Sequence, residues 1–328
     1  MRYLMKSIAI LALSLVLPLG GAQAQEGMFA PVPETAMGPA IDPEIGYVVE
    51  KLGRGLYMIG DGNYQMMFLT TGQGVIAVDA PQAMGQKILA AISSVTDEPI
   101  THVIYSHTHK DHIGAASIYP KDAIIIANAD TTAHLAAKND PDRPVPTQSF
   151  TDNLTLTVGS QTLQLDYRGL NHSPGNIYIY APEQKVLMLV DIIFPGWVPF
   201  IELAQAESVG GFLEAHDVVL GYDFAHFIGG HVARSGTRED VKTQKAYFDD
   251  IIEAAGHANS AMDFGAAFGQ AAARGGQNNN WAIFSILYDN IAQQCADEVE
   301  EKWRGRLAGA DILTFGHCMK IAIHQQID

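Results

Sequence analysis

A chain of 328 residues, 48% hydrophobic and 17% charged, can bury one large core or two smaller ones, which excludes disorder as its default state. With 36 acidic against 20 basic residues its formal charge is −16, and such a surface repels a phosphate backbone, so nucleic acid is excluded as a partner. The same charge offers no general attraction to anionic substrates. The expected ligand is a small molecule, neutral or apolar, unless divalent cations reverse the field in a cleft.

The chain opens with Arg2 and Lys6, an apolar run over residues 8–19, and Ala22-Gln23-Ala24. This is the order of a signal peptide, 1–24, with cleavage near Ala24 and a periplasmic or secreted product starting at Gln25. The apolar run is too short for a comfortable membrane span, so no membrane anchor is expected. Cleavage removes two of the 20 basic residues and none of the 36 acidic ones, for a formal −18. Export makes a disulfide available to Cys295 and Cys318, worth about 3 kcal/mol if formed. Two unpaired buried thiols are the alternative.

Residues 25–46 carry Pro31, Pro33, Pro39 and Pro43 with little periodicity, which predicts an extended arm lying over the domain. Strand-like runs follow at 55–59, 65–71 and 74–79, then a helix over 84–95, strands at 100–105 and 123–127, and a helix over 130–138. After a Pro-rich loop, residues 154–158, 162–167, 176–180 and 185–191 read as consecutive strands, and 224–229 as a last short one. Residues 237–324 are helical in pattern almost throughout. The order predicts an α/β chain, two mixed sheets packed face to face with helices outside, over 47–236, followed by a helical region over 237–328. That region either covers the site or makes a homodimer.

Ser106-His107-Thr108-His109-Lys110-Asp111-His112 follows directly on the apolar strand 100–105. Four metal-ligand side chains in six positions cannot all be satisfied on the alternating faces of a strand. The chain must therefore leave the sheet here as a loop whose side chains converge. Neutral imidazole and carboxylate are ligands of zinc and related divalent ions.

The gapless HxHxDH of His107, His109, Asp111 and His112 resembles the signature of the metallo-β-lactamase superfamily, and the resemblance extends over roughly residues 52–232. Gly169-Leu170-Asn171-His172 looks like that family's next motif, Asp191 stands where its dinuclear members place a bridging carboxylate, and Phe227-Ile228-Gly229-Gly230-His231 resembles its closing motif. The resemblance implies an αββα sandwich and two divalent ions, most simply Zn2+. One would sit on His107, His109 and His172, the other on Asp111, His112 and His231, with Asp191 and a water between them. Asp79, ending an apolar strand, resembles a loop-orienting aspartate of the family, an ordinary turn residue being the alternative reading.

A water bridging two such ions would be an available nucleophile at neutral pH, one ion would polarise a carbonyl, and catalytic Asp111 would orient the water or take its proton. Penicillin-cleaving members usually have a cysteine in the bridging strand and a lysine three residues on, and lactonases an aspartate and a tyrosine; here the pair is Asp191 and Phe194. Glyoxalase II shares the ligand set but is usually intracellular and holds glutathione with basic residues. The apolar run after Asp191, with Phe194, Trp197 and Phe200, is expected to wall the cleft, opposite the turn that carries Tyr64 and Met67. Asn176, Tyr222 and His226 are further candidates for substrate contact. The expected activity is hydrolysis of an ester or lactone ahead of an amide or β-lactam. The alternatives are an iron-dependent redox enzyme acting on sulfur compounds or oxygen, and a thioesterase of the glyoxalase II kind.

Overall fold

The structure, a computed structural model, describes residues 29–328; the expected signal peptide and the start of the arm lie outside the described residues. Among the described residues two sheets stack face to face. The larger orders its strands as β1 (Val48–Gly53), β2 (Leu56–Gly60), β3 (Gln65–Thr70), β4 (Val75–Val78), β5 (Ile100–Ile104), β6 (Ile124–Asn128) and β7 (Gln148–Phe150). It is antiparallel as far as β4 and parallel beyond. In the smaller sheet, β8 (Asn153–Val158), β9 (Gln161–Asp166), β10 (Tyr178–Ala181) and β11 (Val186–Met188) run antiparallel, and β12 (His226–Ile228) adds parallel to β11.

Side chains alternate across a strand, and β3 shows what each face buries. Met67 and Leu69 point into the core between the sheets with Leu56, Val78, Ile104, Ile179 and Met188. Met66 and Phe68 point outward, under the helix Lys87–Ser93 that buries Ile88, Ala91 and Ile92. Both faces are covered, so most of the strand is apolar rather than alternating. The outer face of the smaller sheet buries Tyr178, Leu187 and Phe227 in one core with the helices Val209–Leu220, Arg238–Ser260, Phe264–Ala273, Asn280–Trp303 and Ala310–Ile327. A disulfide between Cys295 and Cys318 ties the last two of these together.

The expected strands all occur, most within two residues of their predicted ends, and β1, β7 and the helix Val209–Leu220 are additional. β1 and β7 are edge strands with one neighbour each; β7 is three residues long, too short for period-2 patterning to register. In the arm a single 3-10 turn, Glu34–Ala36, interrupts the extended chain. Among the described residues no helix is long and apolar enough to cross a membrane.

Candidate metal centre

β11 and β12 run parallel, and the ligand-type side chains that follow them meet those that follow β5 of the other sheet. The chain leaves β5 through a loop, as four such residues in six positions require, and re-forms as the single turn Lys110–Ile113 carrying Asp111 and His112. Asp79, in the left-handed region at φ 68, accepts the Ser106 N–H at 2.7 Å and so fixes the start of that loop. Arg143 ties its middle by donating to the Thr108 carbonyl at 2.6 Å. The loop before β10 is held by Asn171, whose Oδ1 accepts from the His172 N–H and from Asn176 Nδ2, while Nδ2 of Asn176 also reaches the Val190 carbonyl.

Two sets of donor atoms result. The ligating atoms of His107, His109, His172 and Asp191 lie within 4.8 Å of one another, and those of Asp111, His112 and His231 do likewise. Asp191 joins the sets: its Oδ2 is 3.3 Å from His107 Nε2 and 3.1 Å from His172 Nε2, while its Oδ1 is 3.2 Å from His112 Nε2 and 2.9 Å from His231 Nε2. Asp191 is in the left-handed region at φ 65, a conformation that a non-glycine residue holds where its surroundings over-determine it.

The donor set fits divalent cations. Within each set two ring nitrogens face each other, His172 Nε2 and His109 Nδ1 at 3.0 Å, His112 Nε2 and His231 Nε2 at 3.0 Å. A shared proton satisfies one such pair, whereas a cation satisfies every lone pair that converges on it. His107 Nε2 and Asp191 Oδ1 are buried without a hydrogen-bond partner. The rings are oriented from behind, as ligating imidazoles usually are: His231 Nδ1 lies 3.2 Å from the Asn63 carbonyl and His107 Nδ1 lies 2.9 Å from Ser106 Oγ. Gly230, at φ 83, supplies the turn before His231, where a Cβ would meet Val190 at 2.6 Å.

The electrostatics point the same way. Burial pulls His107 down to about 3 against the upward pull of Asp191, and burial with His172 alongside lowers His109, so both rings are neutral ligands at pH 7. Burial alone would raise Asp191, but the facing imidazoles of His112 and His172 outweigh it and hold the carboxyl well below its usual range. Burial also opposes charge on His112, yet the carboxylates of Asp191 and Asp111 raise it to about 10. A cation entering the second set must therefore displace a proton. Asp111, raised by burial and lowered further by His112, stands at about 2 and is ionised.

Above these groups lies a cleft of about 800 Å³. Asn63, Tyr64, Phe194, Trp197 and Phe200 are among the residues that line it. Tyr64 also pairs with His231 through a β-bridge. Trp197 both lines the cleft and pins its loop, its indole N–H donating to the Ala36 carbonyl of the arm.

Four expected substrate contacts are corrected by their positions. Met67 is fully buried between the sheets, because its face of β3 points inward. Asn176 is buried and spends its amide on the His172 loop. Tyr222 donates its hydroxyl to Asp166 and stacks on Tyr178, on the far side of the smaller sheet. His226 begins β12, while His231 follows the other end of that strand.

Two glutamines escaped the sequence reading. Gln65 accepts the Gly229 N–H and donates to the Val232 and Arg234 carbonyls, shaping the loop that carries His231. Gln244 accepts the Phe194 N–H at 2.8 Å and donates to the Ile192 carbonyl at 2.7 Å, gripping the chain just after Asp191. The signal for Gln244 was available: it interrupts the buried stripe of Val241, Phe248 and Ile251 on the helix Arg238–Ser260.

A profile of the metallo-beta-lactamase superfamily matches residues 59–252, and the chain belongs to that superfamily. It is 27% identical over 206 residues to the 2,4-dinitroanisole O-demethylase subunit alpha of a Nocardioides species, covering 61% of this chain and 62% of that one. A type 2 metallo-beta-lactamase of Bacillus cereus is 27% identical over 124 residues, 37% of this chain and 47% of that one. The chain thus spans between about half and under two thirds of these relatives. A metallo-beta-lactamase structure from Pontibacter korlensis superposes with TM-score 0.52 at 17% identity, over 61% of this chain and 97% of that one, a likeness of fold.

Proposed function

We propose that the chain is an exported, metal-dependent hydrolase of neutral carbonyl compounds, with an ester or lactone of an apolar or aromatic molecule as its substrate. The observation that carries this reading is the placement of two donor sets sharing Asp191 at the floor of an apolar cleft. Among the described residues lining that cleft none is lysine or arginine, so nothing there grips the carboxylate of a β-lactam or of glutathione. The buried Cys295–Cys318 disulfide supports an oxidising compartment.

Seven nitrogen and oxygen donors suit zinc. Two divalent ions held there supply Lewis acidity and lower the pKa of water towards 7. The chain's own part is to orient and exclude. Asp111, ionised and the most exposed member of the second set, would orient an attacking water or accept its proton. His107, His112 and His172 are buried and keep their rings fixed. Tyr64 and Phe194 flank His231 and wall off solvent. Hydrolysis then adds water across the acyl–oxygen bond and releases an acid and an alcohol.

The relative named for O-demethylation of 2,4-dinitroanisole favours a second reading on the same site, cleavage of an activated aryl ether, since an aromatic ring suits Phe194, Trp197 and Phe200. Zinc-loaded protein assayed on aryl esters, lactones, 2,4-dinitroanisole, a chromogenic cephalosporin and a glutathione thioester separates these. Ester or lactone turnover that a chelator abolishes is expected. Turnover of the ether alone moves the assignment to the second reading, and stoichiometric iron in the protein as purified, with no hydrolysis by the zinc-loaded form, moves it to redox chemistry.

A further inference from the structure

The apolar end of the cleft joins the loop after Asp191 to residues beyond the stretch 59–252 that the family profile matches. Residues 194–206 leave Asp191 as a long loop, and residues 308–320 clamp it. Val198 N–H donates to the Ala308 carbonyl and Ala308 N–H to the Gly196 carbonyl, each at 3.0 Å. His317, on the helix Ala310–Ile327, donates from Nε2 to the Pro199 carbonyl and accepts the Leu203 N–H at Nδ1, both at 3.0 Å. Lys320 caps the Glu202 and Ala206 carbonyls at 3.1 and 2.6 Å.

The clamped chain needs holding. Glu202, Leu203, Ala204 and Gln205 have φ of 51, 60, 52 and 61° in succession, a left-handed turn that L-residues disfavour. This turn brings Ala204 and Gln205 to the cleft, and the start of the clamping helix adds Ile312 and Leu313. Leu313 is partly buried, while Ile312 at 54% and Phe200 at 62% exposure are accessible.

We propose that the helix Ala310–Ile327 is the specificity element of this enzyme, and that Ile312 and Leu313 form with Trp197 and Phe200 an apolar subsite for an aryl or medium-length alkyl group. That the group belongs to a hydrolysed substrate rests on the function proposed above; that the subsite binds it does not. Trp197 and Phe200 offer flat apolar faces, Ile312 and Leu313 branched aliphatic ones, and no charged residue of residues 309–313 lines the cleft. Such a wall recognises shape and apolar area and cannot recognise charge.

The test uses the full zinc-loaded protein, Ile312→Glu and Leu313→Trp. Binding of 4-phenylphenol by calorimetry is measured beside the kcat/KM ratio for p-nitrophenyl octanoate over acetate. Ile312→Glu changes an exposed position and keeps the fold. It is expected to weaken 4-phenylphenol about tenfold and to lower the octanoate-to-acetate ratio by a similar factor, with metal content unchanged. Leu313→Trp is expected to lower the same ratio by filling the subsite. Unchanged affinity in Ile312→Glu, or no binding to the wild type, overturns the proposal. If the wild type binds 4-phenylphenol but cleaves no ester, the hydrolase reading falls and the binding comparison still decides the subsite.

Discussion

The ring of Phe194 stacks on the imidazole of His231, centroids 5.5 Å apart and planes within 16°. His231 is the more exposed histidine of the second donor set, and the Tyr64 ring also packs against it, tilted at 4.8 Å. A side chain flanked by two aromatic rings loses rotational freedom, and the loop after Asp191 thereby supports both the carboxylate that joins the two donor sets and a donor from another strand. In Phe194→Ala the second cation should bind about tenfold more weakly with the first unaffected. Stepwise zinc titration reads this directly; two unaltered binding steps would refute it.

Gln244 holds Phe194 and Ile192 in place, and His216 holds Gln244. His216 Nδ1 faces the Phe212 and Leu213 carbonyls as donor, which leaves Nε2 to accept from the Gln244 amide at 2.9 Å. Gln244→Leu keeps the volume and abandons three buried polar partners. Metal affinity should fall roughly 10- to 100-fold, with Gln244→Glu intermediate because it retains the acceptor for the Phe194 N–H. Wild-type affinity in Gln244→Leu would show that the loop needs no such support.

Acid should destabilise the fold through two histidines far from the donor sets. Burial lowers His317 to about 3 and His216 to about 4, against an ordinary 6.5. A lowered pKa means that the native state resists protonation, so the stability each ring contributes is complete above pH 6.5 and is lost as pH falls toward 4 and 3. From pH 7 to 4.5 the loss is about 2–3 kcal/mol for each ring. Denaturant unfolding of chelator-treated protein at the two pH values should show a shallower pH dependence in His317→Gln. The same dependence in both proteins would count against the assignment.

The disulfide joins the helix Asn280–Trp303 to the helix that carries Ile312 and Leu313. Replacing both Cys295 and Cys318 by alanine should cost about 3 kcal/mol of stability. Metal content should be untouched, since neither cysteine approaches a donor set. A thermal midpoint equal to that of the wild type would mean the cross-link contributes nothing.

How much of this was legible in the sequence follows from the physics of each part. The donor residues were readable because His107 to His112 lie within six positions at a strand end, where no structural reason calls for four polar rings and carboxylates. His172, Asp191 and His231 were readable through the resemblance to the metallo-β-lactamase superfamily; Asp191 and His231 follow short apolar strands, whereas His172 lies in the loop before β10. The substrate wall was half readable: Phe194, Trp197 and Phe200 adjoin a ligand in sequence, whereas Ile312 and Leu313 reach the cleft only through the folding of the C-terminal helices. Met67 misled because β3 is apolar on both faces and period-2 reasoning cannot choose between them. Tyr222 and His226 misled because nearness in sequence to a ligand does not decide which end of a short strand a side chain occupies.

Elemental analysis of the purified protein after zinc loading and removal of excess metal, with Asp191→Ala alongside, tests the centre most directly. Two zinc ions per wild-type chain, and fewer than two in a folded Asp191→Ala, are the expected values. Two ions retained in Asp191→Ala, or none held by the wild type, would contradict a dinuclear centre bridged by Asp191.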